Sequence, residues 1–155
     1  MAPPVPDNLR PGAQERAAFV RHARGVQVYR CEPAEAEGAF RWSFVAPEAQ
    51  LFDNAQSQAA VGNHGAGPFW QAQDGSKVTG KLKSRADAPT AGAIPWLLLN
   101  TASAGSAGRL APVMSIQRIN TVGGVAPAQG CAGAADVGQQ ARVPYKADYV
   151  YFAAK

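Results

Sequence analysis

Residues 61–81 read VGNHGAGPFWQAQDGSKVTGK, and the rest of the chain is read outward from them. The stretch holds one of two histidines, one of three tryptophans and a dense set of glycines. Asp74-Gly75 is a strong hairpin signal, because both central residues of a two-residue type I′ turn need positive φ. A turn there sends Trp70 and Lys77 to one face of the hairpin and Phe69 and Val78 to the other. Upstream, Gly62, Gly65, Gly67 and Pro68 place His64 in an irregular loop.

Away from the hairpin the pattern stays that of short strands. Val26 and Val28 alternate with Gln27 and Tyr29, and Phe40, Trp42 and Phe44 alternate with Arg41 and Ser43. The apolar run 94–99 (IPWLLL) is too short and too close to Pro95 for a helix, and reads as a strand buried on both faces. In 113–121, Ile119 falls off the face of Met114 and Ile116. Either a β-bulge lies near Gln117 or Arg118 points inward. Residues 15–22 fit a short helix or a strand equally. A strand dense in aromatics, with Tyr145, Tyr149, Tyr151 and Phe152, closes the chain. Residues 1–14 open it as a Pro-rich extended arm, and 15–155 form one β domain. About eight strand segments with little helix predict an all-β, antiparallel sandwich or barrel with long Gly/Pro-rich loops.

Composition supports this reading. The 155 residues fit one domain, and 46% are hydrophobic, too many for a disordered chain. Sixteen glycines and twelve prolines are more breakers than helix-rich proteins carry. A net charge of +4 is spread along the chain, and Lys77, Lys81, Lys83 and Arg85 read as a solvated strand edge, so no nucleic-acid partner is expected. No run of about 18 apolar residues is present to span a membrane.

The candidates for chemistry are few. His64, on its glycine-framed loop, is a general base, a metal ligand, or a loop histidine bonded to backbone. A metal site would need His22 or carboxylates such as Asp53, Asp74 or Asp148 beside it, and none is expected. Trp70 reads as core, or as the wall of a pocket mouth with Lys77 at its edge. Arg118 shares a strand face with Asn120 and, if buried, needs a partner such as Asp148 or Glu48. No serine sits in a nucleophile elbow, and no glycine fingerprint for NAD opens a helix. Cys31 and Cys131 are the only cysteines, either two buried thiols or one disulfide.

The chain resembles a family of small uncharacterised secreted proteins of bacteria and fungi. The resemblance rests on 25–31 (GVQVYRC), 46–53 (APEAQLFD), 61–64 (VGNH), 66–68 (AGP), Trp70 and 74–78 (DGSKV). It continues through 94–99, 116–124 (IQRINTVGG), 126–127, 130–131 and 143–149 (VPYKADY). Gly65 stands where that family usually has Tyr, and Phe69 and Gln71 stand where Thr and Glu are usual. Some fungal members carry a dehydrogenase-type label, for which this sequence holds no dinucleotide motif. The resemblance implies a single domain made with a signal peptide and without an established activity. The first residues, Met-Ala-Pro-Pro-Val-Pro, fit a mature exported chain as well as a cytosolic start. In an exported chain Cys31 and Cys131 are expected to pair.

The resulting expectation is a secreted or periplasmic protein that binds a small polar or anionic aromatic ligand. His64, Trp70, Lys77, Arg118 and Tyr145 would line its site. An enzyme using His64 with a carboxylate, and a structural or stress-associated protein, are the alternatives. No cofactor is expected.

Overall fold

Period-2 segments bury one face each, and a closed barrel lets eight of them share one interior with no open edge. The computed structural model describes residues 4–105 and 107–155; the first three residues of the Pro-rich arm and Ser106 lie outside it. The strands are β1 (Glu15–Pro33), β2 (Phe40–Phe52), β3 (Gly62–Gly65), β4 (Phe69–Ala72), β5 (Lys77–Ala86), β6 (Trp96–Ser103), β7 (Val113–Gly123) and β8 (Gln140–Ala154). Each pairs antiparallel with its neighbour, and β8 returns to β1 to close an up-and-down barrel. The ambiguous segment 15–22 is strand, the start of β1. No described helix is long and apolar enough to cross a membrane.

The barrel interior is filled by Ala23, Leu51, Trp70, Val78, Leu99, Ile116, Tyr145, Ala147, Tyr149 and Tyr151. A second apolar cluster lies outside the wall, where Ile119, Val150 and Phe152 meet Val5, Ala17, Val20 and Trp96. Ahead of β1, a single 3-10 turn (Asp7–Leu9) buries Leu9 completely and accepts a hydrogen bond from Gln117 Nε2 on the Leu9 carbonyl. Apolar side chains on both sides of the wall explain the continuous run 94–99. Leu97 and Leu99 serve the interior, while Trp96 serves the outer cluster.

The hairpin differs by one residue from the sequence reading. Gly75 N–H donates to the Ala72 carbonyl at 3.0 Å, and Ala72 N–H donates to Ser76 at 2.9 Å. The connection is therefore a three-residue turn, Gln73-Asp74-Gly75, with only Gly75 at positive φ (+91°). The Asp74 carboxylate decides this: Oδ1 accepts from the backbone and hydroxyl of Ser76, and Oδ2 accepts from the Arg109 backbone. With one more residue in the turn, Trp70 faces Val78, and Lys77 faces Gln71. Trp70 and Lys77 thus lie on opposite faces, a one-residue register change having inverted the assignment.

A disulfide joins Cys31 to Cys131, with Cα atoms 5.3 Å apart. It ties the β7–β8 loop to β1, next to the backbone pairs Cys31 N–H to Gln139 O and Gly138 N–H to Cys31 O.

Candidate functional site

The β3–β4 turn, with Gly67 at φ +145° and a cis Gly67-Pro68 bond, overhangs one end of the barrel. Opposite it, the β1–β2 register slips between Val28 and Tyr29, which face Ala46 and Phe44. Val45 is the extra residue, and this bulge turns both Phe44 and Val45 to the rim, 53% and 42% exposed. Between turn and bulge opens a cavity of about 230 Å³. Pro47, Pro68, Leu97 and Leu99 supply apolar wall, and His64, Trp70, Arg118 and Tyr149 supply its aromatic and polar groups.

His64 stands opposite Trp70 across the β3–β4 ladder, and their rings stack with centroids 4.5 Å apart. Tyr149 packs on both, 4.9 Å from His64 and 5.6 Å from Trp70. Burial pushes the His64 pKa down to about 4, so the ring is neutral at pH 7. Its Nδ1–H donates to the Phe69 carbonyl at 2.8 Å. That bond leaves Nε2 as an acceptor. Burial likewise raises the Tyr149 hydroxyl pKa, against the pull of Arg118, so this group is a neutral hydroxyl.

Arg118 is the one charged side chain among the described residues lining the cavity. Its Nε and one terminal nitrogen both donate to a single acceptor, the Pro95 carbonyl, at 3.0 and 2.8 Å. The carboxylates expected to pair with it do not. Asp148 is engaged by His22 and Asn120, and Glu48 by Arg142. A half-buried guanidinium with no counter-ion among the described residues, in an apolar-walled cavity, is an anion-seeking group.

Three of the five expected site residues, His64, Trp70 and Arg118, line this cavity. Tyr145 is buried one layer away, and its hydroxyl meets that of Tyr149 at 3.1 Å. Lys77 lies on the other face of the hairpin, its ammonium 4.6 Å above the Phe69 ring, and is not part of the cavity. Two of the glycines serve the chain's own packing rather than a ligand. A Cβ on Gly62 would stand 2.4 Å from the Gln71 carbonyl, and one on Gly65 would stand 2.7 Å from the Phe69 ring. Arg118 does point inward, and the register of β7 also shifts, between Val113 and Ser115 and between Ile119 and Val122 rather than near Gln117.

Tyr149, Phe44 and Val45 were not anticipated. Tyr149 shares parity with Tyr145 along β8, which was a usable signal. The bulge at Val45 leaves no mark in composition. No Asp or Glu lines the cavity among the described residues, and these residues contain no group of three or more His, Cys, Asp or Glu placed to hold a metal.

Fold and cavity together define a closed eight-stranded antiparallel β-barrel with a polar-tipped pocket at one end. The chain belongs to the family described as "Protein of unknown function (DUF3455)", whose family model matches residues 11–153. No curated protein and no solved structure matches it.

Proposed function

We propose that this chain is an exported protein whose barrel binds a one-ring aromatic acid beneath the β3–β4 turn. The observation that carries this reading is Arg118, a guanidinium inside an apolar-walled cavity whose described neighbours include no carboxylate. A ligand carboxylate would supply that missing partner, and a ligand hydroxyl would donate to His64 Nε2. A volume of about 230 Å³, below the roughly 300–1,000 Å³ of pockets for drug-sized ligands, suits one ring and its substituents. Exposed Phe44 and Val45 give such a ring an apolar way in. Binding is favoured over catalysis because His64 has no carboxylate across the cavity to work with as an acid–base pair. Export is supported by the Cys31–Cys131 disulfide, a bond that oxidising compartments maintain.

The test is calorimetric titration with 4-hydroxybenzoate, against 4-hydroxybenzamide as the uncharged counterpart. The acid should bind, and Arg118→Ala should weaken it by about tenfold or more, as expected for losing a charge-assisted hydrogen bond. Near-ultraviolet circular dichroism verifies that the variant stays folded. Equal binding of acid and amide, or an Arg118→Ala variant that binds as well as the wild type, rules the reading out.

A further inference from the structure

The opposite end of the barrel carries a second, larger cavity of about 450 Å³, bounded by the β2–β3, β4–β5 and β6–β7 connections. Phe19 lines it, with its ring stacked on that of Tyr151, centroids 4.6 Å apart. Two guanidinium carbons lie near that one ring, Arg21 at 4.7 Å and Arg109 at 4.5 Å. Like charges gathered on one aromatic platform are unfavourable unless something negative separates them.

Two of the protein's own acids, Asp53 and Asp74, line the same cavity but fill that role only in part. Asp74 acts on Arg109 by charge, but its two oxygens are hydrogen-bonded to Ser76 and to the Arg109 backbone rather than to a guanidinium. Asp53 reaches only one nitrogen of Arg21, at 3.3 Å, with its side chain 60% exposed, where such a pair is weak. That same nitrogen donates to the Val20 carbonyl, and the other two nitrogens of Arg21 have no partner among the described residues. Arg109 makes no ion pair among them. Burial lowers the Arg21 pKa, and nearby Arg109 lowers it further.

The arrangement is held in place. Asp74 and Ser76 receive the Arg109 and Leu110 backbone N–H groups at 2.8 and 3.0 Å, which clips the loop carrying Arg109 over the cavity. Arg21 is fixed on β1, its side chain only 14% exposed.

We infer that this cavity is a second ligand site, taking the oxyanion of a small organic carboxylate or phosphate between Arg21 and Arg109. The planar guanidinium fork matches either group, and the Phe19 ring receives the body of the ligand. The site shares no lining residue with the Arg118 cavity and stands independently of it.

The experiment is amide-detected NMR titration of the intact chain with benzoate, inorganic phosphate and, as the uncharged control, benzamide. Benzoate or phosphate should shift the Asp74, Arg109 and Leu110 amides saturably, while benzamide should not. Stronger binding of benzoate assigns the site to ring-bearing carboxylates, and stronger binding of phosphate assigns it to phosphate esters. Arg109→Ala removes an exposed side chain and should weaken the response by about tenfold or more, and Arg21→Gln should do the same. Arg118→Ala should leave these shifts unchanged. The inference is overturned if neither anion shifts those amides, if benzamide shifts them equally, if Arg109→Ala has no effect, or if Arg118→Ala abolishes the response.

Discussion

His64 holds its hydrogen on Nδ1 for the Phe69 carbonyl and stays neutral, with its pKa pushed down from 6.5 to about 4 by burial. Between those values the unfolded chain binds a proton that the folded chain refuses, so stability rises with pH across that window. The contribution is complete above pH 6.5 and is lost as pH falls to 4, by up to about 3 kcal/mol. Urea titrations at pH 7 and pH 4 should show this loss in the wild type and a smaller one in His64→Gln; equal losses would contradict a buried neutral ring. The tyrosines of β8 differ among themselves. The Tyr151 hydroxyl is buried without a described partner, whereas those of Tyr145 and Tyr149 meet. Tyr151→Phe should therefore raise stability by about 1 kcal/mol and Tyr149→Phe should lower it by about as much, read from denaturation midpoints. Single residues were only partly legible in sequence. His64 and Trp70 stood out by rarity and Arg118 by its strand position, but the strand that holds His64 reads in sequence as a loop and Tyr149 looked no different from its neighbours.

Strands and turns were more legible than the joints between them. Alternation marked the strands, and Asp74-Gly75 marked the turn, because both signals depend on neighbouring residues alone. The turn length escaped, since it depends on Asp74 capping Ser76 and the distant Arg109 backbone. That extra residue placed Lys77 outside. Gly75→Ala should cost roughly 1–2 kcal/mol, the penalty for a side chain in the left-handed region. Gly62→Ala should cost more, about 3 kcal/mol, because its methyl group would stand 2.4 Å from the Gln71 carbonyl and push β3 from β4. Thermal or chemical denaturation of the two variants checks that order, and a reversal would contradict the β3–β4 register.

For the molecule as a whole, the disulfide spans 100 residues and constrains the unfolded chain strongly. Replacing both cysteines by alanine should cost up to about 4.7 kcal/mol in the chain-entropy model, and the denatured, unreduced wild type should release no thiol to a colorimetric reagent. What the sequence by itself determined was the all-β class and the hairpin's location. Those properties follow from local alternation, glycine and proline placement, and residue type. Tertiary structure alone decided that the sheet closes as a barrel, that Lys77 lies outside the cavity Tyr149 lines, and that one arginine faces the cavity at one end and two face the cavity at the other. Closure depends on β1 meeting β8, more than a hundred residues apart. Facing depends on register, where one added residue exchanges inside for outside. Neither quantity is carried by any short stretch of chain.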